Sequence, residues 1–313
     1  MRDTSLIFQG LTDLHTSRVE ESEIDELGHL SVPFYEERAL RASRILAEVH
    51  GLSADDCQDE GVELTVVDGF MRNYREQFLN APLLVRAGVL AANSERLRFY
   101  QELFNQERDE LSATFVYELQ LQTRATRTPV AVPADVVESA AGARVEWPAH
   151  GRTRSLDLTR APFMLQLTEA RQHNLMFNQP RTIMQDECDP AGIYLAHRFQ
   201  HLPYSGSLVD DSSSEWVFET EDGHRLGIAD LETRNVLLQL PRVGDRVQTC
   251  HAEVDIGSKT FCRNHWVFGI DSGTLLSTAT TVSVTLDLDA RRAVEIPATM
   301  RAAMEPQHHP ELR

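Results

Sequence analysis

Between Leu111 and Leu121 every second residue is apolar or aromatic (Leu111, Ala113, Phe115, Tyr117, Leu119, Leu121), and the residues between them are mostly polar. A period of two marks a strand with one buried face. A different period governs residues 34 to 49, where Phe34, Ala42, Ile45, Leu46 and Val49 follow helical spacing. Ser31 stands where an N-cap belongs, Pro33 suits the first turn, and Glu36 and Glu37 complement the positive end of the helix dipole. Gly51 marks the stop. Residues 15 to 20 read as an entry strand, and residues 62 to 122 as further strands.

The pattern is written a second time. Asp25 maps onto Asp189 at an offset of 164, which also carries Gly28 onto Gly192, Phe104 onto Phe268, and RTPVAVPA at 127 to 134 onto RRAVEIPA at 291 to 298. In the second copy the strand alternation is Val282, Val284, Leu286 and Leu288, which fits an offset of 165 and implies a turn longer by one residue. The second helix, expected from near Ile193, should end early at Pro203 and Gly206, followed by a polar loop at 204 to 215. Two domains follow, 10 to 140 and 174 to 304. The connection at 141 to 173 has a helical pattern around Pro162 to Gln172 and is long enough to cross a domain face. One helix followed by antiparallel strands, twice over, predicts an α+β chain of two curled sheets, each wrapped round a helix and joined edge to edge.

Composition narrows the partners. The chain has 313 residues, 42% hydrophobic and 25% charged, as expected of a globular protein with a substantial core. Its formal charge of −18 excludes a general nucleic-acid binder, because phosphate backbones need a basic face. Of 30 basic residues only Lys259 is a lysine, so an anionic ligand must be met by local arginines or backbone amides. No apolar run approaches 18 residues and the first residues lack a signal-peptide pattern, so no membrane partner and a cytoplasmic location are expected. The four cysteines have neither zinc spacing nor disulfide density and are expected as free thiols.

Asp25 and Asp189 each precede a helix start. A carboxylate there can attack or activate water while first-turn amides hold an oxyanion, as thioester cleavage requires; equally, Asp is a common turn or capping residue. The segment DPAGIYLAHRF at 189 to 199 resembles the opening motif of the 4-hydroxybenzoyl-CoA thioesterase family, whose fold is the hotdog. DELGHLSVPFY at 25 to 35 is similar to the Asp-x-x-Gly-His variant of acyl-CoA thioesterases in the same superfamily, and residues 111 to 133 resemble that variant's closing strand. The resemblance implies two hotdog domains in tandem forming a pseudo-dimer, and an acyl-CoA thioesterase releasing free acid and CoA. It implies Asp25 and Asp189 as nucleophile or general base, and backbone N–H groups near Val32 and Ala196 as oxyanion donors. His29 would orient the acid or substrate. Ser31 stands where the variant has Asn, and Phe199 where the aromatic position has Tyr35 in the first copy.

His29 has Ile193 as its counterpart, while His197 and His201 lie four apart in the second copy; without the acid of an HExxH motif they read as packing or solvated residues rather than metal ligands, although His197 can support Asp189. Cys188 lacks an activating base. No nucleophile elbow, dinucleotide or phosphate-loop motif is present, so neither a metal nor a cofactor is expected. The turns at Ser94 and Arg96 and at Ser258 and Lys259 offer a hydroxyl and a base each: phosphate contacts for CoA, or ordinary hairpin turns. Acyl transfer or another thioester reaction on the same fold, and acyl-CoA binding without turnover, are the alternatives. Further assembly into homo-oligomers of pseudo-dimers is compatible with the fold.

Overall fold

A computed structural model describes residues 10–25, 28–195, 198, 202, 217–219, 223 and 225–313, and the chain divides into two units, residues 1–154 and 155–313. In the first unit β1 (Thr12–Arg18) leads to α1 (Val32–Val49) and the short α2 (Ala54–Asp59). Then come β2 (Val62–Asn73), β3 (Pro82–Ala92), β4 (Leu97–Asn105), β5 (Glu110–Thr123) and α3 (Ala134–Gly142). The strands form an antiparallel sheet ordered β1–β3–β4–β5–β2. Ala39, Ala42, Leu46 and Ala47 of α1 lie in one core with Val85, Phe99, Phe115 and Tyr117 of the sheet.

The buried stripe of α1 is rotated from the one its apolar residues suggest. Ala42 and Leu46 are in the core, but Val49 is 60% exposed, and polar Glu36, Arg38 and Ser43 are buried instead. Gly51, at φ +100°, follows the last turn as expected. Glu36 does not serve the helix dipole: it is buried, its Oε1 has no hydrogen-bond partner, and burial pushes its carboxyl well above the usual range. It is held as a neutral acid. Ser31 occupies the N-cap position without a side-chain cap bond.

The second unit contains α4 (Leu167–Gln172), β6 (Met176–Phe177), β7 (Arg181–Thr182) and β8 (Val217–Glu219). These precede β9 (Arg225–Leu237), β10 (Arg246–Ile256), β11 (Thr260–Gly269), β12 (Leu275–Asp287), β13 (Arg292–Ala293) and α5 (Ala298–Met304). Its sheet runs β9–β12–β11–β10, with β6 and β7 on β10, β8 on β9 and β13 on β12. Ile193 and Tyr194 lie in β-bridges rather than at a helix start. Apart from Arg198 and Leu202, the rest of the expected second helix and the 204 to 215 loop fall outside the described residues. No helix among the described residues is long and apolar enough to cross a membrane. Cys57, Cys188, Cys250 and Cys262 are free thiols, all but Cys188 buried.

The duplication is exact in backbone pairing. Phe104 pairs with Leu84 and Leu111; Phe268 pairs with Gln248 and Leu275, each 164 residues on. The bulge between Val66 and Asp68 recurs between Asp230 and Glu232. This overturns the 165 register and its extra turn residue, because Arg98↔Glu118 is reproduced as Cys262↔Val282. What moves by one is the side-chain pattern, not the backbone. The counterparts of Ala113, Tyr117 and Leu119 are Ser277, Thr281 and Ser283, and Val282 and Val284 point to the other face of the sheet.

Over part of the sheet the two faces are thereby exchanged, although Val247, Phe261 and Val267 keep the apolar character of Leu83, Leu97 and Leu103. Val89, Phe99, Val66 and Met71 face α1 in the first unit; Glu253, Arg263, Asp230 and Asn235 stand at those positions in the second. There Arg263 Nε donates to Glu253 Oε1 at 2.8 Å and Ser283 Oγ to Asp230 Oδ1 at 2.7 Å. The opposite face of the first unit is polar: Glu102 bonds His150 at 2.6 Å, and Arg72 donates to the His150 and Arg152 carbonyls at 2.9 and 2.7 Å. In the second unit Trp266 and Val236 replace Glu102 and Arg72, and Trp266, Val254 and Val282 form an apolar cluster with Leu165, Leu175 and Leu312. The connection supplies both coverings, since His150 lies on the first unit and Phe163 accepts the Trp266 Nε1 hydrogen bond at 2.8 Å in the second.

Gly28 and Gly192 adopt φ +81° and +75°. Alanine at either site costs about 1–2 kcal/mol for the left-handed conformation. At Gly192 the added Cβ also meets Val243 Cγ1 at 3.0 Å, whereas nothing lies within 4 Å at Gly28. Chemical denaturation is expected to rank Gly192→Ala as more destabilising than Gly28→Ala.

Candidate functional site

The turn that precedes α1 is built from backbone bonds. Asp25 N–H donates to His29 O at 2.8 Å, Gly28 N–H to Asp25 O at 3.0 Å, Leu30 N–H to Gln77 O at 2.7 Å, and Ser31 N–H to Glu23 O at 2.9 Å. This geometry brings the Asp25 and His29 side chains together: Nδ1 of His29 is 3.0 Å from Asp25 Oδ2, and both side chains are partly buried. On its other side His29 Nε2 is 3.7 Å from Glu76 Oε1. Burial works against the imidazolium, but the Asp25 hydrogen bond and the charges of Asp25 and Glu76 outweigh it, and the His29 pKa is raised.

Glu76 escaped the sequence reading because it comes from the β2–β3 connection, where no spacing signals it. That connection is held by Tyr35, whose hydroxyl accepts the Gln77 N–H at 3.1 Å, and by Asn105 Nδ2, which donates to Gln77 Oε1 at 2.6 Å. At the start of α1, Pro33 has no N–H and the Phe34 N–H turns back to Ser31 O at 3.1 Å. The Val32 amide is therefore the donor the first turn presents outward.

The second unit keeps the turn and changes its chemistry. Asp189 N–H donates to Ile193 O at 2.8 Å, Gly192 N–H to Asp189 O at 2.9 Å, Tyr194 N–H to Pro241 O at 2.9 Å and Leu195 N–H to Glu187 O at 2.9 Å. All four repeat the first unit's bonds at 164. Asp189 Oδ1 accepts the Ala191 and Ile193 amides, both at 2.9 Å, as a turn-capping carboxylate does. The counterparts of His29 and Glu76 are Ile193 and Leu240, which pack in one apolar cluster. Ala196 and His197 lie outside the described residues. Burial and the neighbouring carboxylates raise the Cys188 thiol, which leaves it unactivated.

The turns at Ser94 and Arg96 and at Ser258 and Lys259 are equivalent hairpins. Ser94 O accepts Val132 N–H at 2.9 Å and Ser258 O accepts Ile296 N–H at 2.8 Å. Ser94 is thereby tied to the segment leading into α3, whose Val136 lies beside Gly51 at the far end of α1. An 18-residue helix is about 27 Å long, so the structure does not bring Ser94 and Arg96 beside Asp25. Lys259 Nζ donates to Ala293 O at 3.3 Å.

The sequence matches no family model and no curated protein. Its fold does match. A protein assigned as an oleoyl thioesterase from Lactobacillus plantarum shares it at TM-score 0.67 and 13% identity, over 89% of this chain and 98% of that one. The 12:0-ACP thioesterase of Umbellularia californica does so at TM-score 0.64 and 11% identity, over 88% and 94%. An acyl-ACP thioesterase from Bacteroides thetaiotaomicron gives 0.62 and 10%, over 88% and 98%. The chain thus has the fold of these enzymes: α+β, with two hotdog domains in tandem.

The raised pKa of His29 fixes the sign of a stability test. A group whose pKa is higher in the folded state stabilises fully below its unfolded value and loses that contribution as pH rises through the folded one. The difference in melting temperature between wild type and His29→Gln is expected to be larger at pH 5.5 than at pH 9, and NMR titration of His29 is expected to give a midpoint above 6.5.

Proposed function

We propose that the protein is an acyl-thioester hydrolase acting through the first unit's Asp25–His29 site, on an acyl group carried by CoA or by an acyl carrier protein. The observation that carries this is the 3.0 Å contact between His29 and Asp25 at the mouth of α1, in a fold whose compared members are thioesterases. The Asp25 carboxylate accepts a proton from water as the water oxygen adds to the thioester carbonyl. The Val32 amide and the positive end of α1 stabilise the oxyanion that forms. When the intermediate collapses the C–S bond breaks, the sulfur leaves with the electron pair and takes up a proton, and free acid and free thiol result. His29, whose pKa is raised by its two carboxylate neighbours, orients Asp25 and supplies that proton.

At the His29 and Glu76 positions the second unit has Ile193 and Leu240, and Asp189 Oδ1 accepts the Ala191 and Ile193 amides, which supports assigning Asp189 to its turn rather than to chemistry. The half-buried Arg96, with Ser94, and the exposed Lys259, with Ser258, remain the proposed contacts for CoA phosphates.

Thiol release from a panel of acyl-CoA and acyl-ACP substrates tests the assignment. Asp25→Asn is expected to lower turnover by about 10²–10⁴, while Asp189→Asn leaves it within a few-fold. Undiminished hydrolysis by Asp25→Asn would remove Asp25 from the mechanism, and an acylated acceptor in place of free acid would make the enzyme a transferase.

A further inference from the structure

Away from both turns, three metal-type donors converge on the second unit. Nδ1 of His309 is 3.1 Å from Glu311 Oε1, and Nδ1 of His173 is 3.6 Å from the same oxygen. The ligand atoms of the three residues all lie within 4.8 Å of one another. A tetrahedral ion with bonds of about 2.0–2.1 Å separates its ligands by roughly 3.3 Å, and the two shorter spacings bracket that value.

The donors are also fixed. His173 caps α4, its N–H bonded to Glu169 O at 2.9 Å, and His309 N–H donates to Glu253 O at 2.7 Å. Glu311 lies in a single 3-10 turn, Pro310–Leu312. Leu312 is buried in the apolar cluster, and its carbonyl accepts Asn264 Nδ2 at 2.7 Å. Side chains on backbone held this firmly, from segments 136 residues apart, need little rearrangement to close on an ion. The overall charge of −18 favours a cation.

We propose that His173, His309 and Glu311 form a Zn²⁺ site with water in the fourth position, clamping the C-terminal turn to the end of α4. Two imidazoles and one carboxylate select a borderline ion such as Zn²⁺ over Mg²⁺ or Ca²⁺, which prefer all-oxygen shells. The role is structural: the ion links the last turn to the segment whose Leu165 and Leu175 share a cluster with Leu312. It is independent of the thioesterase reading.

The test uses the full chain, stripped with chelator and titrated with ZnCl₂ by calorimetry, with Co²⁺ as a spectroscopic probe of coordination. One equivalent is expected to bind, to give a tetrahedral Co²⁺ spectrum, and to raise the melting temperature reversibly with EDTA. His173→Gln and Glu311→Gln are expected to weaken Zn²⁺ binding at least about tenfold each while leaving the metal-free melting temperature and thioester hydrolysis unchanged. No stoichiometric binding would overturn the proposal. So would binding that both variants retain, or Mg²⁺ binding as tight as Zn²⁺.

Discussion

In an antiparallel sheet the side-chain period is two and the backbone register is set by hydrogen bonds, so a pattern displaced by one residue changes face without moving a strand. The rest of this structure depends on that constraint. Both units use the same pairings, bulges and turns, yet the first turns Val66, Met71, Val89 and Phe99 toward α1 while the second has polar residues at those positions and buries Val254, Trp266 and Val282 on the opposite face. The inversion carries an electrostatic consequence. Burial raises the carboxyls of Glu253 and Asp230, pushes His251 down to about 3 and lowers His265 well below its usual value. Each shift disfavours the charged form because desolvation penalises a buried charge. Against this burial, Arg263 Nε donates to Glu253 Oε1 at 2.8 Å, and the guanidinium works to lower the Glu253 carboxyl.

The same economy separates the two turns, with carboxylates around His29 and apolar neighbours around Ile193. A histidine at position 29 needs a carboxylate within reach to be charged while partly buried, and both Asp25 and Glu76 provide one. At the equivalent site Ile193 and Leu240 change together to apolar residues, which satisfy each other by packing. A lone replacement on either side would leave a buried charge unpaired or an apolar group against carboxylates. The turn backbone is indifferent to this choice, since its amides and carbonyls bond to one another.

Much of the fold was legible because glycine and aspartate report backbone conformation directly. Gly28 and Gly192 sit at positive φ, and Asp25 and Asp189 serve the same turn, so their common offset marks a true repeat. Hydrophobic alternation was less informative: Val282 and Val284 announce a strand but not which face they cover, and aligning them with Tyr117 and Leu119 produced the spurious 165 register. On α1 the pattern failed where polar residues are buried, since Glu36 and Ser43 look like surface positions by composition alone. The Asp25–His29 pairing was carried by the resemblance to the Asp-x-x-Gly-His variant, and the 3.0 Å contact agrees with it. Glu76 and the His173–His309 pair were not legible, because each meets its partner through tertiary pairing rather than local period.

How the turn is held also separates its geometry from its chemistry. Glu23 Oε2 accepts the Glu20 N–H at 2.8 Å and is met by Arg38 of α1 at 2.6 Å, while Arg38 also donates to Ser17 Oγ at 2.8 Å. In the second unit Glu187 Oε2 accepts the Met184 N–H at 2.9 Å, but its guanidinium comes from Arg181 on β7 at 2.8 Å. Two different elements thus solve one requirement, a carboxylate that caps the turn and a cation that neutralises it. Because this brace lies outside the Asp25–His29–Glu76 group, the first unit presents those three side chains on a scaffold that does not rely on them. The second unit shows the scaffold persisting where two of those three side chains are gone.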